Sequence, residues 1–305
     1  MRKGKPGIAP HPRQSAATRS RDTSPADPLL FASPILNSQV RDRPLRGELE
    51  GNMSTMPELR PNRVKQKLAA GECAVAIQGL VTGDMIDQIG PTEADAVWIE
   101  GEHGAIDFLD IGDQSRACDL WGKTPIVRVN SHDYGLIYRT LDRGAQGIVA
   151  PHVNNREQAE AIVRAAKFAP VGMRGMFTSR QGIGVADYVK IANDHTLIVV
   201  LIEDIEAVRN LDEILEVDDI DCYFVAPGDL AQTMGHIGEV GNPDVQATIS
   251  DTIKRIHDAG RIPGALVDQS SVGRYRDLGA RFFLTGIDGW ISAGINSFTS
   301  AMNGR

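Results

Sequence analysis

Leu197-Ile-Val-Val-Leu-Ile-Glu203 is a run of six apolar residues closed by a carboxylate. Four of the six are β-branched, and no polar residue alternates with them. A strand with one wet face alternates. An unbroken run suits a strand covered on both sides, as in a parallel sheet under helices. Similar runs flank it: Ala74–Leu80, Ala96–Glu100, Pro125–Val129 and Gly147–Pro151 before, and Tyr223–Pro227, Ile262–Val267 and Phe282–Ile287 after. That makes eight.

Helical patterns lie between them. Asn155–Phe168 sets Ala159, Ile162, Val163 and Ala166 on one face, and Pro243–Ala259 does the same with Val245, Ile249, Ile253 and Ile256. An Asn or Asn-Pro signal opens each, and Gly260 closes the second. Eight βα units in about 240 residues predict a (β/α)8 TIM barrel. A doubly wound open sheet is the competing fold, but no G-x-G-x-x-G turn follows the first run.

The barrel is expected over residues 56–305, as one domain. Residues 1–55 read differently: rich in Pro, Arg and Ser, with no acid before Asp22 and no hydrophobic periodicity. Such a stretch cannot bury enough apolar surface to order itself, so a disordered extension is expected. Met53 or Met56 as the true start would explain it. A targeting peptide would also be Arg- and Ser-rich, but Pro6, Pro10, Pro12, Pro25 and Pro28 oppose the amphipathic helix it needs.

A net charge of −8 argues against nucleic acid or an anionic membrane as partner. Cys73, Cys118 and Cys222 are sparse and lack C-x-x-C spacing, which suits a reducing compartment without disulfides or a zinc site. No apolar run is long enough to span a bilayer. A cytoplasmic enzyme acting on small molecules is the expectation.

A barrel carries its chemistry at the C-terminal ends of its strands. Here those ends deliver Glu100-Gly-Glu-His103, then Arg128, then Pro151-His152, then Glu203-Asp204, then Ala-Pro-Gly-Asp229. Carboxylates, histidine and arginine thus converge on one rim. Taking a proton from beside a carbonyl creates an enolate, which needs a lysine Schiff base or a divalent metal as electron sink. None of Lys65, Lys67, Lys123, Lys167, Lys190 and Lys254 ends a run. Glu203 and Asp229 offer hard oxygen ligands for Mg2+ or Mn2+. Arg128 can steady an oxyanion, and His103 can carry a proton near neutral pH. Taken alone, Asp229 is more simply a helix N-cap and His152 a hydrogen-bonded rim histidine. Glu203 and Arg128 resist such readings, because a lone charge in an apolar strand is costly.

Ile-Glu-Gly-Glu-His at 99–103, Pro-Ile-Val-Arg at 125–128, Gly-Met-Arg-Gly at 172–175, Leu-Ile-Glu at 201–203 and Ala-Pro-Gly-Asp-Leu at 226–230 together resemble the HpcH/HpaI aldolases. The resemblance runs from about Val64 to the C-terminus. It implies a barrel of the pyruvate/phosphoenolpyruvate type, a homo-oligomer of three or six subunits, and a class II aldolase of aromatic or sugar-acid catabolism. Such an enzyme makes or cleaves 4-hydroxy-2-oxo acids from pyruvate and an aldehyde. It implies Glu203 and Asp229 as ligands of Mg2+ or Mn2+ (Co2+ as an alternative), His103 as base and Arg128 as enolate stabiliser. The N–H groups of Gly228 and Asp229 would hold the pyruvate carboxylate, with Leu201 and Leu266 beside the substrate. Asp142 matches an aspartate that raises the histidine's basicity, yet it lies late in the helix before the fourth strand, near the opposite face.

Two departures stand out. Glu100 replaces the usual Asp three residues before the histidine, and Leu201 replaces a Gln that touches substrate. The carbon-bond chemistry survives both, whereas the identity of the aldehyde does not. Two rivals are a citrate-lyase-type enzyme acting on a larger acid or acyl thioester, and a catalytically silent barrel that only binds. The acidic composition offers no basic clamp for a coenzyme A tail. A silent barrel has no reason to keep His103, Arg128, Glu203 and Asp229 together.

Overall fold

The computed structural model describes residues 58–304, so the expected extension over residues 1–55 lies outside it. Eight strands form a closed parallel barrel in chain order. They are β1 (Ala74–Gln78), β2 (Ala96–Glu100), β3 (Thr124–Arg128), β4 (Gly147–Ala150), β5 (Leu197–Ile202), β6 (Cys222–Val225), β7 (Pro263–Leu266) and β8 (Phe282–Gly286). Each falls on one of the eight apolar runs. The helices are α1 (Arg63–Ala69), α2 (Gly83–Ile89), α3 (Phe108–Leu120), α4 (Tyr134–Asp142), α5 (Arg156–Ala166) and α6 (Tyr188–His195). After β5 come α7 (Ile205–Arg209), α8 (Leu211–Leu215), α9 (Pro227–Thr233), α10 (Pro243–Asp258), α11 (Val272–Asp277) and α12 (Ile287–Met302). The expected caps are present: Asn155 accepts from Gln158 N–H, and Asn242 from Asp244 N–H.

Side-chain alternation places the site. Ala74 and Ala76, Ala96 and Trp98, Leu197, Val199 and Leu201, and Cys222 and Phe224 all fill the barrel interior. Val97, Ile99, Ile198 and Val200 face the helix layer instead. Successive residues of a strand point to opposite faces. One more inward step from each series reaches Gln78, Glu100 and Glu203, and the same parity from Ile126 reaches Arg128. The polar residues at the strand ends are thus aimed into the barrel mouth by parity alone.

The opposite end of the barrel is closed. Val64 and Leu68 of α1 join the interior core. Asn62 anchors that helix, donating to the carbonyls of Gln146 (3.0 Å) and His195 (2.9 Å). Above the plug, Trp98 packs on Phe224 and Phe224 on Phe282, with ring centroids 5.5 and 6.2 Å apart. Small molecules therefore reach the interior from the C-terminal rim. No helix among the described residues is long and apolar enough to cross a membrane.

Candidate active site at the barrel mouth

Register sets Glu100 of β2 directly beside Arg128 of β3. Arg128 Nε donates to both Glu100 oxygens, at 3.1 and 2.8 Å, and Nη2 lies 2.8 Å from Oε2. Arg128 Nη1 reaches Glu102 at 3.0 Å. Glu100 Oε1 also accepts the backbone N–H groups of Glu102 (2.9 Å) and His103 (3.0 Å). Gly101 makes this turn fit, since a Cβ there would stand 2.6 Å from the Arg128 carbonyl oxygen. Burial would raise the Glu100 carboxyl, but Arg128 and the two amides outweigh it and hold it below the ordinary range. Glu100 is thereby a brace for Arg128 and for the loop that presents His103. It touches the backbone of His103, not the ring.

Across the mouth, Glu203 follows β5 and is 1% exposed. Its Oε1 accepts the His152 N–H at 2.8 Å, its one hydrogen bond among the described residues. Burial pushes its carboxyl up to about 7; the His152 amide and imidazole oppose this, while Asp229 and Glu102 add repulsion. Asp229 lies in the first turn of α9, whose N-cap is Ala226 with no side-chain cap bond. The N-cap reading of Asp229 is thus not what folds here: Pro227 opens the helix, and Asp229 is left with no capping bond to make. A buried carboxylate crowded by two others, with one oxygen accepting nothing, is the environment that a divalent cation relieves. The donor set, two hard oxygens, fits Mg2+ or Mn2+. No group of three or more His, Cys, Asp or Glu converges to hold a metal among the described residues. Water and substrate would fill the remaining positions.

A cavity of about 230 Å³ joins these groups. His103, Arg128, Glu203 and Asp229 line it together with Gly228 and Leu266. Trp98, Leu201 and Phe224 bring the apolar interior to its floor. The N–H groups of Gly228 and Asp229 belong to the first turn of α9, where an α-helix has no internal acceptor for them. The His103 ring is exposed, with Glu102 3.8 Å from Nε2.

Asp142 is not brought to this mouth within one chain. It ends α4 and accepts a hydrogen bond from buried Arg174 at 2.7 Å. The lysines stay away too. Lys123 donates to the carbonyls of Thr92 and Ala94, and Lys167 to those of Asn193 and Thr196. Neither lines the cavity.

Two participants, Glu102 and Gln78, escaped the sequence reading, and a third, His152, does more than that reading gave it. Glu102 stood inside the Glu-Gly-Glu-His motif, yet only the turn shows it reaching Arg128. Gln78 ends β1 and lines the cavity, but nothing in its sequence neighbourhood marks the strand end. His152 is the hydrogen-bonded rim histidine that its position suggested, with Nδ1 3.0 Å from Asp204 Oδ2. It also adopts a left-handed φ of 51°, which carries its N–H onto Glu203. Burial would lower its imidazole, but the Asp204 hydrogen bond and the charges of Glu203, Asp204 and Glu102 raise it.

The sequence matches the family model for HpcH/HpaI aldolase/citrate lyase over residues 79–293. A hydroxypyruvate/pyruvate aldolase of Pseudomonas aeruginosa is 35% identical over 237 residues, covering 76% of this chain and 88% of that protein. A 4-hydroxy-2-oxo-heptane-1,7-dioate aldolase of Klebsiella pneumoniae is 36% identical over 233 residues, covering 74% and 88%. Among solved structures, an HpcH/HpaI aldolase/citrate lyase family protein of Burkholderia cenocepacia superposes with a TM-score of 0.75 at 26% identity, covering 79% of this chain and 99% of that one. The chain belongs to the HpcH/HpaI aldolase/citrate lyase family, and it is an enzyme of the aldolase type.

Proposed function

We propose that this aldolase-family enzyme is a metal-dependent class II aldolase that forms or cleaves 4-hydroxy-2-oxo acids, through a pyruvate enolate and an aldehyde. The observation that carries the reading is the buried Glu203 facing Asp229, with Arg128 on the same cavity. Glu203 and Asp229 would hold Mg2+ or Mn2+, which when bound supplies positive charge to the oxygens of a 2-oxo acid.

The chain's own groups supply the rest. Arg128 has five N–H donors. Nε hydrogen-bonds Glu100, while Nη2 and Nη1 stand in ion-pair contact with Glu100 and Glu102, which leaves guanidinium N–H groups for a substrate oxyanion. The N–H groups of Gly228 and Asp229 suit the substrate carboxylate. His103, exposed at the rim, can pass a proton between the substrate carbon and solvent. The apolar floor of Trp98, Leu201 and Phe224 keeps water from the carbon being deprotonated. Removing the metal tests the reading. EDTA is expected to stop exchange of the pyruvate methyl protons, and Mg2+ or Mn2+ to restore it. Exchange unaffected by EDTA rejects the reading.

We also infer that the protein works as a homo-oligomer built through α12. None of the 16 residues of this helix is buried. Trp290, Ile291, Ile295 and Phe298 are each more than half exposed. Beside β1 and β8 lies an open apolar groove of about 590 Å³, lined by Val75, Ile77, Phe283 and Ile287. The last helix of a barrel ordinarily covers such a face, and α12 of a second copy would do so here. Light scattering on Ile295→Glu, Phe298→Glu should show a smaller particle than the wild type. A monomeric wild type overturns this inference.

A further inference from the structure

One polar wall of the cavity has no part in the chemistry just described. Gln78 closes β1, is half-buried, and its side chain makes no hydrogen bond among the described residues. In a closed ring of eight strands, β1 stands opposite β5. Gln78 therefore faces the Glu203 side across the mouth. A pyruvate held beside Glu203 and Asp229 would leave the Gln78 side of the same cavity for the aldehyde. Leu201, below Glu203, offers the adduct no hydrogen bond.

The charges of the mouth are unevenly committed. The basic residues lining the cavity are Arg128 and His103. Arg128 is already shared by two carboxylates, Glu100 and Glu102. His152 nearby lies among Glu102, Glu203 and Asp204. No lysine lines the cavity. An aldehyde carrying a second carboxylate would meet a rim rich in like charge, with no uncommitted arginine or lysine to receive it. A primary amide both donates and accepts, which matches a hydroxyl.

We propose that Gln78 is the specificity-determining residue for the aldehyde, binding a hydroxyl group so that the enzyme prefers short hydroxyaldehydes to alkyl aldehydes and to aldehydes with a terminal carboxylate. The proposal rests on the aldolase reading and names its acceptor class. A site that hydrogen-bonds a substrate hydroxyl disfavours the analogue lacking it, because its own polar group is left unpaired.

The test couples three aldehydes to pyruvate with the metal-loaded enzyme: glyceraldehyde, propionaldehyde and succinic semialdehyde. In the wild type, kcat/KM for glyceraldehyde should exceed that for each of the others by about tenfold or more. In Gln78→Leu, the ratio of glyceraldehyde to propionaldehyde should fall to near one, through a higher KM for glyceraldehyde. Taking the ratio within one variant cancels any loss of folded protein, and the wild-type ranking needs no variant. A wild type that prefers succinic semialdehyde, or shows no preference, overturns the proposal, as does a Gln78→Leu enzyme that keeps the wild-type ratio. Wild-type exchange of pyruvate methyl protons, measured without any aldehyde, separates the two readings. If exchange is absent, the aldolase reading fails; if it is present without the hydroxyl preference, only the role of Gln78 fails.

Discussion

Glu203→Gln is expected to lower metal-dependent exchange of the pyruvate methyl protons by about 10³-fold or more, while the metal-free variant melts no lower than the wild type. The activity loss follows from the ligand set. With two protein carboxylates at the proposed metal site, losing the charge of one weakens a Lewis acid worth several kcal/mol in such reactions. The stability arm runs the other way. The folded protein raises the Glu203 carboxyl from 4.5 to about 7. Its folded form therefore binds more protons than the unfolded chain between those values, so the metal-free wild type loses stability as pH rises from 4.5 to 7. The cost, on the order of a few kcal/mol, stays in place above that window. A glutamine removes it. Melting curves of both EDTA-treated proteins at pH 8 check this, alongside NMR of methyl-proton exchange. Undiminished exchange in Glu203→Gln ends the metal-ligand assignment.

Arg128→Ala should be costly in both respects. Arg128 lines the cavity in which an enolate oxygen would develop, and removing an oxyanion-stabilising donor lowers turnover by about 10²–10³. The variant also leaves Glu100 and Glu102 together without their shared cation. Breaking a largely buried pair by removing one partner costs roughly 3 kcal/mol. The wild-type Glu100 carboxyl is lowered in the folded state, so its contribution is present above pH 4.5 and fades as pH falls through the folded value. The melting-temperature gap between wild type and Arg128→Ala should be widest near pH 7 and narrow on acidification below 4.5. A gap that does not change with pH would show that the charge pair is not its source. Arg128→Lys should rescue little, because an ammonium cannot serve both carboxylates in the planar fork that the guanidinium makes.

Much of the architecture was legible because it is periodic. The eight apolar runs needed only the rule that strands covered on both faces do not alternate, and all eight became barrel strands. The starts of α5 and α10 were legible because Asn155 and Asn242 carry their caps in the local sequence. Glu203 and Arg128 stood out for a related reason: a charge at the end of an apolar strand is expensive wherever the strand sits.

What local sequence could not supply was company. Asp229 looked like a cap, and only the start of α9 at Pro227 leaves its carboxylate free to face Glu203. Glu100 stood out only as a Glu in place of the usual Asp three residues before His103, and the register between β2 and β3 gives it to Arg128. Asp142 matches the family's sequence pattern, yet α4 delivers it to Arg174 rather than to the mouth. The sequence by itself determined the barrel, its open end and the residue types on its rim, since these follow from periodicity and from the cost of burying charge. Which rim residues meet was decided by closure of the ring. Closing the ring sets Gln78 across from Glu203, though 125 residues separate them in the chain, because contacts across a barrel depend on strand register and not on distance along the sequence.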